Sequence, residues 1–173
     1  DTMLCFSNMG KVYWLKVYQI PVAARGSRGR PMINLLPLDE GERITSILTI
    51  KEYTADHYIF MATANGTVKR TFLTEFSRPR SVGLRAVELD EGDVLVGTAI
   101  TNGANDIMLF ASNGKAVRFE EADVRAMGRT ARGVRGIRLA DGARMIARKV
   151  PADGGKILTV RKNGYGKRTQ APE

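Results

Sequence analysis

Phe60-Met61-Ala62-Thr63-Ala64-Asn65-Gly66-Thr67-Val68-Lys69 sets an apolar run of strand length before an Asn-Gly pair and a β-branched, basic run after it. Asn-Gly supplies the positive backbone dihedrals of a tight hairpin, so the stretch predicts two antiparallel strands joined by a short turn. The pattern recurs as Leu4-Cys5-Phe6-Ser7-Asn8-Met9-Gly10-Lys11-Val12, as Leu109-Phe110-Ala111-Ser112-Asn113-Gly114-Lys115-Ala116-Val117 and as Leu158-Thr159-Val160-Arg161-Lys162-Asn163-Gly164-Tyr165-Gly166-Lys167. The turn glycines Gly10, Gly66, Gly114 and Gly164 are spaced by 56, 48 and 50 residues. A second element follows each of the first three hairpins: an Arg and Gly loop, a short strand ending in Leu, and an acidic turn closed by glycine. It reads Arg28-Gly29-Arg30 leading to Leu38-Asp39-Glu40-Gly41, Gly83-Leu84-Arg85 leading to Leu89-Asp90-Glu91-Gly92, and Gly133-Val134-Arg135 leading to Leu139-Ala140-Asp141-Gly142.

Short apolar bursts at residues 11–17, 44–50, 58–62, 94–100, 107–110 and 157–160 have strand length and are rich in Val, Ile, Tyr and Phe. The reading is all-β. The one helical candidate, residues 120–127, is a helix of about two turns at most or equally a short irregular turn. A period near 50 residues with about four short strands per period is the signature of a propeller-like array, because a lone four-stranded blade cannot bury both faces. The chain holds about three and a half repeats of roughly 50 residues, and residues 1–173 read as part of a single repeat domain excised from a longer array. A linear stack of repeats or a pair of sandwiches is also compatible with the spacing.

The chain has 173 residues, 43% hydrophobic and 26% charged, which excludes wholesale disorder and leaves room for one domain or two. No apolar run approaches the roughly 18 residues of a membrane helix. A single cysteine, Cys5, and a single histidine, His57, exclude disulfide scaffolds and zinc modules. The informative number is the charge: 27 Lys and Arg against 18 Asp and Glu, a net +9 that points to a polyanionic partner, nucleic acid first.

The cations are not scattered. Residues 21–31 hold Arg25, Arg28 and Arg30, residues 77–86 hold Arg78, Arg80 and Arg85, and residues 124–139 hold Arg125, Arg129, Arg132, Arg135 and Arg138, all three stretches without an acid. Equivalent loops of a repeat array share one edge, so the arginines are expected to form a periodic cationic stripe while the acids gather in a different loop. Arginine forks onto phosphate oxygens, and the interspersed glycines let a phosphate approach backbone amides. One Arg-Gly loop is an ordinary solvated surface; three in register fit a bent duplex backbone read without base contacts. Lys167 and Arg168, after the fourth hairpin, add to the set.

The segments Ala62-Thr63-Ala64-Asn65-Gly66-Thr67-Val68-Lys69, Val124-Arg125-Ala126-Met127-Gly128, Gly133-Val134-Arg135-Gly136-Ile137-Arg138-Leu139 and Asn163-Gly164-Tyr165-Gly166-Lys167-Arg168-Thr169 closely resemble the C-terminal domain in the A subunit of bacterial DNA gyrase, a type IIA topoisomerase. So does Arg25-Gly26-Ser27-Arg28-Gly29-Arg30-Pro31 with Asn34-Leu35-Leu36-Pro37-Leu38, and the likeness runs in order over essentially the whole chain. The resemblance implies a β-pinwheel, a propeller-like disc whose neighbouring blades exchange strands and around whose basic rim double-stranded DNA wraps with a positive hand in support of negative supercoiling. It also implies a cytoplasmic, nucleoid-associated bacterial protein whose partners are the gyrase B subunit together with the rest of the A subunit, in an A2B2 assembly. By the same resemblance, strand cleavage and ATP hydrolysis with Mg2+ lie elsewhere in the enzyme, and no cofactor or metal is expected in this segment. The family's basic heptapeptide of the type Gln-Arg-Arg-Gly-Gly-Lys-Gly is not in the chain and would be expected just upstream of Asp1. The related domain of the topoisomerase IV A-type subunit, which binds DNA for substrate selection, is the alternative.

The residues give no competing chemistry. There is no Gly-x-x-x-x-Gly-Lys-Ser/Thr loop for a nucleotide, His57 is a lone strand-edge residue beside Asp56, and Cys5 alternates with Phe6 as a core residue. Tyr13, Tyr18, Tyr53, Tyr58 and Trp14 lie in or near strands and read as packing. A protein-interaction propeller would be expected to place aromatic anchors among the charges, yet the arginine loops hold none besides the flanking Phe76. Single-stranded RNA recognition would likewise need stacking platforms.

Overall fold

The computed structural model describes residues 1–151 and 155–170. Its strands are β1 (Thr2–Ser7), β2 (Lys11–Lys16), β3 (Ile44–Ile50), β4 (Tyr58–Thr63), β5 (Thr67–Phe72), β6 (Leu84–Arg85), β7 (Leu95–Thr101), β8 (Asp106–Ala111), β9 (Ala116–Glu120), β10 (Val134–Arg135), β11 (Met145–Lys149), β12 (Lys156–Val160) and β13 (Gly166–Gln170). They form sheets ordered β3-β1-β2-β6, β10-β5-β4-β7, β11-β8-β9 and β12-β13. The repeated hairpin is therefore β1-β2, β4-β5, β8-β9 and β12-β13, with the turn glycines at φ of 75°, 85°, 84° and 83°. Residues 120–127 form only a 3₁₀ turn at Glu121–Asp123, the irregular one of the two expected forms.

The sheets are not each made from one repeat. β6 follows the second hairpin in sequence but pairs with β2 of the first sheet, Lys11 opposite Arg85 and Val12 opposite Leu84. β10 follows the third hairpin and pairs with β5 of the second sheet, Val134 opposite Val68 and Arg135 opposite Thr67. Each exchanged strand also docks on the turn of the sheet it joins: the Ala86 and Val87 amides donate to the Gly10 carbonyl at 2.8 and 3.2 Å, and the Gly136 and Ile137 amides to the Gly66 carbonyl at 2.8 and 3.3 Å. A Cβ on Gly66 would stand 2.8 Å from the Ile137 carbonyl oxygen, and one on Gly10 would stand 2.7 Å from that of Val87. These two glycines serve the hairpin and the junction between repeats at once.

Counting back from the closing glycines Gly41 and Gly92, Met32-Ile33-Asn34 aligns with Gly83-Leu84-Arg85. Those residues form a 3₁₀ turn behind Pro31 instead of the expected short strand. Proline lacks the N–H a ladder needs and its fixed φ suits a helical start.

Burial explains why the hairpin strands read as nearly continuous apolar runs. In β4, Ile59 and Met61 face one core with Leu4, Phe6, Val12, Ile50, Leu73, Phe76 and Leu95. Phe60 and Ala62 face the opposite way into a second core with Val68, Ile107, Leu109, Ala111, Val124, Ile137 and Met145. A strand covered on both faces carries apolar side chains at every position. The first three sheets are thus stacked face against face, as blades are, and a third, smaller core of Cys5, Tyr13, Leu15 and Leu36 covers the outer side of the first sheet.

Candidate nucleic-acid interface

The exchanged strands decide where the arginines stand. β6 and β10 are edge strands of successive sheets, each pairing with the residues that follow the hairpin glycine, so Arg85 and Arg135 occupy equivalent positions from one sheet to the next. Arg135 is exposed, and Arg85 is exposed and bonded to Glu88 three residues on. Arg78 and Arg80 are exposed on the approach to β6, where Gly83, at φ 76°, lies so close to Tyr13 that a Cβ would stand 2.6 Å from the ring. Arg25, Arg28 and Arg30 are exposed along residues 21–31, a loop whose internal order comes from the Ser27 amide and hydroxyl donating to the Ala24 carbonyl at 3.0 and 2.8 Å. Lys167 and Arg168 are exposed on β13. They stand three and four residues beyond Gly164, the register that Lys69 and Arg70 hold beyond Gly66.

The third loop is more engaged than its sequence suggests. The Arg132 guanidinium donates to Asp90 at 2.5 Å, across a full repeat, with both side chains more than half exposed. Arg129 is half-buried, its Nε 3.8 Å from a Glu75 carboxylate oxygen. The acidic turns therefore do not stay apart from the arginine loops: Asp90 of the second turn reaches the third loop, and Asp39 of the first bonds Lys11 on β2. Among the described residues Arg25, Arg28, Arg30, Arg78, Arg80 and Arg135 have no carboxylate partner. Arg125, Arg138, Lys167 and Arg168 likewise have none among the described residues, and these ten are the cations ready to meet phosphate without first giving up an acid.

Sequence reasoning also missed Lys69. Its side chain is 1% exposed, and the ammonium donates to the Ala86 carbonyl at 2.7 Å and to the Arg129 carbonyl. Desolvation, with the Arg129 charge adding to it, lowers its pKa from the ordinary lysine value to about 8. The apolar surroundings gave no signal, because a lysine in a basic strand after Asn-Gly reads as solvated. Beside it, Arg70 lies 4.4 Å above the Tyr58 ring and 3.9 Å from buried Glu121, whose other carboxylate oxygen accepts the Gly103 and Asn105 amides at 2.6 and 3.0 Å.

The remaining candidates sit as packing. Cys5 is fully buried, and desolvation pushes its thiol up to about 11. The Trp14 indole donates to the Tyr53 hydroxyl and the Phe76 carbonyl, and Tyr13 donates to buried Glu42 at 2.8 Å. His57 bonds Thr54 and Asp56 at the start of β4. No described helix is long and apolar enough to cross a membrane.

Comparison with known proteins places this geometry. The family model for the DNA gyrase C-terminal domain, beta-propeller, matches residues 1–51, 57–102 and 105–147. The chain is 59% identical over all 173 residues to the DNA gyrase A subunit of Salmonella typhimurium, and 54% identical over the same length to that of Escherichia coli; it spans 20% of each. Thus it covers about a fifth of the length of the curated relatives it matches. Among solved structures, a C-terminal domain of DNA topoisomerase IV superposes with a TM-score of 0.89 at 27% identity, over 98% of this chain and 53% of that one. A DNA gyrase A C-terminal domain superposes with a TM-score of 0.81 at 28% identity, over 98% and 54%. With the family model matched across three successive repeats and the strand-exchanged blades behind it, the chain belongs to the DNA gyrase C-terminal domain family.

Proposed function

We propose that this chain is a DNA-wrapping module: it binds double-stranded DNA through the phosphate backbone, without regard to base sequence, and bends it along the edge formed by the arginine loops. The wrap has a positive hand and serves negative supercoiling by a gyrase made with the B subunit together with the remainder of the A subunit. No catalytic step is assigned to these residues; cleavage and ATP hydrolysis belong to other parts of that enzyme. The observation that carries the reading is the equivalent placement of Arg85 and Arg135 on strands donated to successive sheets, with unpaired Arg78 and Arg80 beside the first. A regular spacing of cations suits a regular spacing of phosphates. Bending 20–30 base pairs by 40–90° costs on the order of 1–6 kcal/mol, so one loop does not hold the wrap and successive blades must act together.

The test is to replace Arg78, Arg80, Arg132 and Arg135 by Gln and measure DNA affinity against salt on several unrelated duplexes. The log-log salt slope is expected to fall by about 0.9 for each phosphate that goes unneutralised, equally on every duplex. An unchanged slope, or a loss confined to one sequence, would overturn backbone wrapping.

A further inference from the structure

We infer that Lys69 is a positioning residue for the DNA interface: its ammonium clamps the backbone of the loop bearing Arg129, Arg132 and Arg135 to the segment that follows Arg85, and so fixes the spacing between two successive arginine groups. The inference rests on the proposed DNA role for its functional half and on geometry alone for the clamp.

Lys69 belongs to β5, in the second sheet, yet neither of its partners does. Ala86 lies one residue beyond β6 and is tied through its own amide to Gly10 at the hairpin turn of the first sheet. Arg129 lies in the loop between the third hairpin and β10, a loop held to β5 by the Met127 amide donating to the Arg70 carbonyl at 2.8 Å. A single buried ammonium thus joins main-chain groups from two different repeats, and it is satisfied only where the two carbonyls converge. The carbonyls that receive it belong to main chain, so the bond locates loops and not side chains.

Two further contacts span the same seam: the Glu88 amide donates to the Ala131 carbonyl at 3.3 Å, and Arg132 donates to Asp90. The first is long and the second is exposed, which leaves Lys69 as the buried anchor. Burying a lysine is costly, and an apolar side chain of similar length would fill the volume without that cost. What the ammonium adds is register, the best-attested use of a buried polar group. The same position three residues after the hairpin glycine is Tyr13 in β2 and Val117 in β9, so the first and third hairpins do not carry this clamp.

Lys69→Met in the full chain tests both halves, with Ile50→Ala, a core truncation on β3, as the control for simple destabilisation. Hydrogen exchange at the Glu88 and Met127 amides is expected to speed up in Lys69→Met while the amides of β1 keep their rates; wild-type exchange at Glu88 and Met127 would overturn the clamp. With DNA, the ends of a duplex of about 150 base pairs, one persistence length, are labelled for energy transfer. At saturating protein Lys69→Met is expected to lose about half of the wild-type bend while its salt slope stays within about one phosphate of wild type. Wild-type bending, or bend and affinity falling in parallel as they would in Ile50→Ala, would overturn the positioning role. A wild-type chain that binds no DNA would refute the proposed function and this role with it, leaving the clamp to stand or fall on exchange.

Discussion

Single residues in this molecule divide sharply between those that hold blades together and those left free for a partner. Glu121 belongs to the first group: it is fully buried, accepts two loop amides and faces Arg70. Glu121→Ala is expected to cost about 3 kcal/mol in urea unfolding, because it strands two amides and removes the countercharge of a nearly buried guanidinium. Asp90 acts in the opposite sense, occupying Arg132 on the surface. Asp90→Asn is expected to tighten DNA binding and steepen its salt slope by about 0.9, one phosphate's worth; an unchanged slope would mean that Arg132 stays clear of the DNA. Cys5 checks the core itself: a thiol held at about 11 inside the first sheet should resist a thiol reagent at pH 8 until the chain is unfolded. Of the thirteen cations singled out in the sequence, their positions could show only that they cluster. Arg85 is engaged by Glu88 three residues on, but Arg129 and Arg132 are engaged by Glu75 and Asp90, which lie far back in the chain where no local window contains both partners.

At the scale of elements, the hairpins were legible and the exchanged strands were not. β1-β2, β4-β5, β8-β9 and β12-β13 announce themselves through apolar runs and a glycine that must adopt positive φ. β6 and β10 are two residues long, too short for any periodicity, and their partners lie in the preceding repeat. The expected short strands ending in Leu89 and Leu139 are instead two-residue strands that end at Arg85 and Arg135, and only the resemblance supplied their exchange between neighbours. The turn glycines allow the exchange to be tested. Gly66→Ala meets the left-handed penalty of about 1–2 kcal/mol and also drives a Cβ to 2.8 Å from the Ile137 carbonyl. Gly114→Ala has the same φ penalty and open space around it. Thermal unfolding is expected to show Gly66→Ala as clearly the more damaging; equal losses would mean that the Gly66 junction yields freely.

For the whole molecule, stacking blades and donating an edge strand backwards has one consequence for function: the arginine-bearing strands of the second and third repeats, β6 and β10, are each displayed on the sheet before, so their cationic groups inherit the spacing of the blades. Stiff DNA is bent by several such groups held at fixed separation, not by the strongest one. The repeat period gave away the all-β architecture and suggested a shared edge for the loops, while buried links between them, Lys69 above all, were hidden inside an ordinary-looking basic strand. The most direct test of the wrap is to seal nicked circular plasmid with ligase in the presence of this chain, remove the protein and resolve the topoisomers. A shift to positive linking difference that grows with protein concentration is expected; an unchanged distribution at concentrations where a mobility shift shows the plasmid fully bound would contradict it.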